Sequence, residues 1–210
     1  MYKYYELYDL ICLILLYFIC LLPRWKGNRR YLFLKTILYV YICFALYFTL
    51  MPFIIPIPFI NFNISSVNIN LTPFNDLVQG HGGAVREFFL NIIMMIPFGI
   101  LVPFIYKKNF FSTIKYTLGF SLIIEVFQIF SYSGLRSFDT TDLISNTLGG
   151  IVGCLLYLLF CPLATFLINK MLKGSDDKNV NSQRITKREL ILFGIIIMQL
   201  LIRSVLLSYK

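Results

Sequence analysis

Charge is scarce in this chain. Only 14% of its 210 residues are Asp, Glu, Lys or Arg, where a soluble domain carries roughly 25%. That is too little to cover a water-facing surface, and it excludes a soluble globular enzyme. Histidine occurs once, as His81. One His near one acid, Asp76, makes a poor metal site, and His81-Gly82-Gly83 reads as a turn. The same three residues suit an oxyanion loop, but no G-x-S-x-G nucleophile elbow accompanies them. The five cysteines (Cys12, Cys20, Cys43, Cys154 and Cys161) form no C-x-x-C pair. All lie in apolar runs, where Cys behaves as a small hydrophobe. No cofactor or metal is therefore expected. A basic stretch ahead of the first apolar run is also missing, as is a small-residue cleavage site. That run reads as a retained helix rather than a signal peptide.

What the chain has is apolar surface. It is 58% hydrophobic and 17% aromatic, with a mean hydropathy of +0.76. Disorder is excluded on that ground. A helix crossing the hydrocarbon needs about 20 mostly apolar residues. The gaps between charges supply them at Leu10–Pro23 (extendable to about Tyr4), after Thr36, and at Phe88–Tyr106. Others run Tyr116–Leu135, broken by Glu125, Leu143–Asn169, and Leu190–Tyr209, broken by Arg203. The expected fold is an all-α polytopic transmembrane bundle of about six spans. A long external connection, begun by Pro52, Pro56 and Pro58, follows the second span. Its Asn61–Leu71 stretch alternates partly and suggests a short hairpin on the membrane surface.

The net charge of +9 marks sidedness. The basic residues gather at 23–35 (Arg24, Lys26, Arg29, Arg30, Lys35), at 107–115 (Lys107, Lys108, Lys115) and at 169–189. These are alternate loops, so they are assigned to the cytoplasm. Both termini then lie outside. Three separate basic loops make no nucleic-acid surface, and no nucleic-acid partner is expected. The segments are 1–34 (first helix and basic loop), 35–168 (main transmembrane domain), 169–189 (basic cytoplasmic linker) and 190–210 (last helix).

Polar groups inside spans are costly and usually face the bundle interior. Asn91 sits near the outer end of the third span. Glu125 and Gln128, three apart, share a face of the fourth. Counted back from Ser133, Glu125 is about 12 Å deep. Arg136 follows, and then Asp139, Asp142 and Asn146 at i, i+3 and i+7. A fifth helix starting near Asp139 puts all three on one face; one starting at Asp142 can be capped by Thr140 or Thr141. The cluster has a structural reading, in which the acids complement a helix dipole, Arg136 neutralises an acid and the amides bond between helices. It also has a functional one, a polar pocket opening outward. Gly149 and Gly153 form G-x-x-x-G, which lets helices approach closely. Pro97 and Pro103 should kink the third span or leave carbonyls free.

These residues resemble those of the VanZ-like membrane proteins. Leu90-Asn91 through Pro97-Phe98-Gly99 is similar to that family's N-x-x-x-F-x-P-x-G stretch, with Met95 where Phe is common. Glu125-x-x-Gln128, then Arg136-Ser137-Phe138-Asp139-x-x-Asp142-Leu143-Ile144-x-Asn146-Thr147-x-Gly149, resembles its second block. Thr72-Pro73-Phe74 resembles the end of its N-x-x-P-F opening. The resemblance covers about residues 35–165. It implies a multi-pass protein of the bacterial plasma membrane. It also implies an association with low-level resistance to teicoplanin, an acylated glycopeptide that binds cell-wall precursors outside the membrane.

Three functions fit. In the first, the outward pocket binds membrane lipid, a lipid-linked cell-wall precursor or the antibiotic. Its residues are Asn91, Glu125, Gln128, Arg136, Asp139, Asp142 and Asn146, with Arg136 pairing to phosphate or carboxylate. In the second, Glu125 is the acid or base of a membrane-embedded enzyme acting on an envelope lipid or glycan. The motifs of known intramembrane hydrolases are absent. The third is a lipid transporter, against which the polar groups lie toward one face and no inverted repeat is visible.

Overall fold

A computed structural model describes residues 11, 13–25, 29–50, 69–129, 137–171, 191 and 194. The expected last span, the linker, most of the external connection and Arg136 lie outside the described residues.

Four described helices are long and apolar enough to cross a membrane. A π-helical turn at Tyr17–Leu21 runs into Leu22–Trp25, and together they form α1 (17–25). Helix α2 is Arg29–Leu50. A two-residue strand β1 (Ile69–Asn70) precedes a single turn, α3 (Asn75–Val78). Then come α4 (Ala84–Tyr106) and α5 (Phe110–Ile129). Strand β2 (Phe138–Asp139) leads directly into α6 (Thr140–Met171). At 1.5 Å per residue α6 is about 48 Å long, well beyond a hydrocarbon core of about 30 Å.

The helix ends follow from local chemistry. Gly83 enters α4 at φ 104°, a left-handed value that suits glycine. The connection from α4 to α5 is only 107–109. Asn109 closes it, accepting on Oδ1 from Ser112 N at 2.9 Å as an N-cap. Pro97 and Pro103 lie inside α4, which runs unbroken through both. Each still leaves one carbonyl, of Ile93 and Gly99, without its usual helical donor.

Helices α4 and α6 form the central seam, with α5 against both. Glycines set the spacing. A Cβ on Gly149 would collide with the Ile92 carbonyl, one on Gly153 with the Ile96 carbonyl, and one on Gly99 with the Gly150 carbonyl. Gly150 in turn leaves room for the Thr117 side chain. Helix α2 lies alongside, its buried face formed by Leu34, Leu38, Ile42, Ala45 and Leu46. Tyr41 ties it to α4 by donating to the Met94 carbonyl at 2.9 Å. The opposite face of α2, with Val40, Phe44 and Phe48, is exposed as a lipid-facing surface requires.

The expected hairpin lies mostly outside the described residues. Its end, Ile69–Asn70, pairs in parallel with Phe138–Asp139, Ile69 beside Phe138 and Asn70 beside Asp139. One expectation needs correction, that of Lys35, assigned above to a basic loop. It lies within α2 and is 3% exposed. Its ammonium stands 4.2 Å from the Tyr31 ring centre, 5.5 Å from Trp25 and 5.7 Å from Tyr106. Rings from α1, α2 and α4 therefore surround one cation, a favourable arrangement once water is excluded.

Candidate functional site

The site lies at the end of the bundle away from Lys35, where β1 and β2 meet the helices. Its anchor is Asp139. One carboxylate oxygen accepts from Thr141 N at 2.6 Å, making Asp139 the N-cap of α6. The other accepts from Asn70 Nδ2 at 3.0 Å. The Asp139 backbone N–H donates to Glu125 Oε2 at 3.1 Å. One residue thus joins α5, α6 and the β1 segment.

Neighbouring threonines extend the join. Thr140 Oγ1 donates to the Asn70 carbonyl at 3.1 Å. Thr141 Oγ1 accepts from Phe74 N at 2.9 Å, and Phe74 takes the left-handed φ of 62° there. Asn70 Oδ1 closes its own turn by accepting from Thr72 N at 3.2 Å. The helix start therefore falls between the two expected ones: α6 begins at Thr140, capped by Asp139, and the threonines hold the loop rather than the helix.

Deeper in, the pairs cross between helices. Asn91 of α4 donates to Asp142 Oδ1 of α6 at 2.7 Å. Asn146 of α6 donates to Ser121 Oγ of α5 at 3.0 Å. Gln128 of α5 donates to the Thr49 carbonyl at the end of α2, at 3.1 Å. Glu125 is 1% exposed, Asn146 2% and Gln128 6%. Among the described residues, Gln128 Oε1 and Asn146 Oδ1 are buried with no hydrogen-bond partner.

Six of the seven expected site residues thus sit on facing elements at one end of the bundle; Arg136 is outside the described residues. Sequence reasoning missed Asn70, Ser121, Thr141 and Thr49. Asn70 had a signal, since Asn70-x-x-Pro73-Phe74 completes the opening motif of which only the last three residues were used. Ser121 precedes Glu125 by four residues and shares its helix face. His81, by contrast, is exposed, with Nδ1 3.0 Å from Asp76 Oδ1 in a hydrogen-bonded turn outside this cluster.

The VanZ/LLP1 family model matches residues 38–161, more than half the chain and the whole of the cluster just described. The chain belongs to the VanZ/LLP1 family. It is 32% identical over 142 residues to Protein VanZ of Enterococcus faecium, an alignment covering 67% of this chain and 73% of that protein. No solved structure matches. Every side chain in the network, from Thr49 to Asn146, falls inside the VanZ/LLP1 match, whereas Lys35 and all of α1 precede it.

The cluster's chemistry is that of acceptors. Three carboxylates and two amide oxygens gather within about two helical turns of the bundle end. Such a site suits binding or positioning of a polar group at membrane depth. Glu125 holds a backbone N–H in place, which is a positioning role.

Proposed function

We propose that this VanZ/LLP1 protein is a binding protein of the bacterial plasma membrane, associated with low-level resistance to teicoplanin. Its outward-facing site holds an envelope lipid, a cell-wall precursor or the antibiotic. Asn91, Glu125, Gln128, Arg136, Asp139, Asp142 and Asn146 form the polar part, and apolar helix walls receive acyl chain. One observation carries the reading: two amide oxygens buried within this polar cluster have no hydrogen-bond partner among the described residues. A purely structural network leaves few such groups.

The transport reading gains no such support. The polar stripe on α5 does continue to the opposite end as Thr117 and Thr113. Their hydroxyls, however, donate to carbonyls of their own helix approach, Thr113 O and Asn109 O, at 3.0 Å each. That is local satisfaction with packing against Gly150, and it makes no path.

The test is resistance in a teicoplanin-susceptible host. Wild-type protein should raise the inhibitory concentration. Glu125→Ala and Arg136→Ala should each abolish that rise at an unchanged amount of protein in the membrane. Full resistance from both variants would sink the proposal.

A further inference from the structure

Gln128 says more than that something binds. Its Nε2 donates to the Thr49 carbonyl at 3.1 Å. A carbonyl oxygen can only accept, so the amide cannot be turned over, and Oε1 is fixed as an acceptor. That oxygen is buried and has no partner among the described residues. An acceptor removed from water and left unmet disfavours the fold. Asn146 Oδ1 is in the same position. Its partner, the Ser121 hydroxyl, can donate or accept, so that amide can be turned over and Gln128 carries the argument. One turn away on the same face is the Glu125 carboxylate, and Asp139 and Asp142 lie on the facing helix start. All are acceptors in their ionised form.

We infer that the site takes a head group bearing N–H or O–H donors, an ammonium or sugar hydroxyls, with Gln128 Oε1 as its direct acceptor. The inference rests on the binding reading above. A phosphodiester anion presents only acceptors to an acceptor and is disfavoured at this position. A donor head group meets Gln128 Oε1 and restores the hydrogen bond that burial removed.

The full-length protein, extracted from phosphatidylcholine nanodiscs, tests this. Phosphatidylcholine has no N–H or O–H donor in its head group. Separate samples are doped with diglucosyl-diacylglycerol, lysyl-phosphatidylglycerol or phosphatidylmethanol, an anionic phosphodiester with no N–H or O–H, and retained lipid is counted by native mass spectrometry. Wild-type protein should retain at least one donor-bearing lipid roughly tenfold or more over phosphatidylmethanol, and the two arms separate sugar from ammonium. Gln128→Glu, which keeps an acceptor, should hold that preference. Gln128→Met should lose it. If the Met variant does not fold, Gln128→Lys replaces it with the same expectation, since it keeps a donor for Thr49 and has no acceptor. Phosphatidylmethanol retained as well as the others would overturn the donor class while leaving binding intact. Loss of the preference in Gln128→Glu with its retention in Gln128→Lys would reduce Gln128 to its bond with Thr49. Retention of no doped lipid would overturn the inference and, with it, the envelope-lipid form of the binding reading.

Discussion

The two ends of the bundle bury charge in different ways. At the site end, Glu125, Asp139 and Asp142 are spread among partners from β1, α4, α5 and α6, each bond short and directional. At the basic end, Lys35 is enclosed by Trp25, Tyr31 and Tyr106. Ring faces offer a diffuse negative field with no hydrogen-bond direction. The site end therefore holds its acids by directed bonds, while at the basic end ring faces close around the cation. A ligand site needs the first property. A helix junction needs only the second.

Substitutions can break this contrast in a stated order. The seam shared by both ends is the most sensitive. Gly153→Val drives a side chain into the Ile96 carbonyl and should cost about 3 kcal/mol or more. It would show as lost thermal stability in detergent and low membrane yield at both ends alike. Next is Asp139→Ala, which removes a helix cap and the Asn70 link together. It should cost about 2 kcal/mol. Asn70→Ala should cost less, and the double variant should fall short of the sum, as calorimetry of all four proteins would show.

At the basic end the order of sensitivity inverts. Tyr31→Leu should destabilise by about 1 kcal/mol. Lys35→Met, which replaces a buried charge by an apolar chain, should be close to neutral. In the Lys35→Met background the Tyr31 change should then lose most of its effect. An equal effect of Tyr31→Leu in both backgrounds would mean that the ring packs without regard to charge. The smallest change belongs to neither end. His81→Asn removes an exposed pair with Asp76 and should shift stability by under about 0.5 kcal/mol.

Much of this was legible in the sequence. Gaps between charges located the four long helices, because the membrane admits few charges over about 20 residues. The spacing of Glu125 and Gln128, and of Asp142 and Asn146, correctly put each pair on an inward face. Asp139 was less legible: it precedes α6 rather than sharing that face, since its carboxylate accepts from Thr141 N. The β1–β2 pairing left no trace. Two-residue strands carry no period, and Asn70 and Asp139 are far apart in the chain. Lys35 was misplaced for a related reason. Lysine near a predicted span end ordinarily reaches water, and only α1 and α4 together supply the extra rings that close over it.

The join between Asn70 and Asp139 also bears on the order in which the protein is assembled. Helices α4 and α5 lie between its two halves. During synthesis Asn70 is made early, and its partner arrives only once α5 has emerged. The Asn70 segment can then join only a chain that already contains the helix hairpin, a contact distant in sequence that carries a loop-closure cost. A chain halted before Phe138 holds every residue of α4 and α5 and still lacks the clasp. Completion of the site is in this sense a late checkpoint, reached only when the start of α6 has been made.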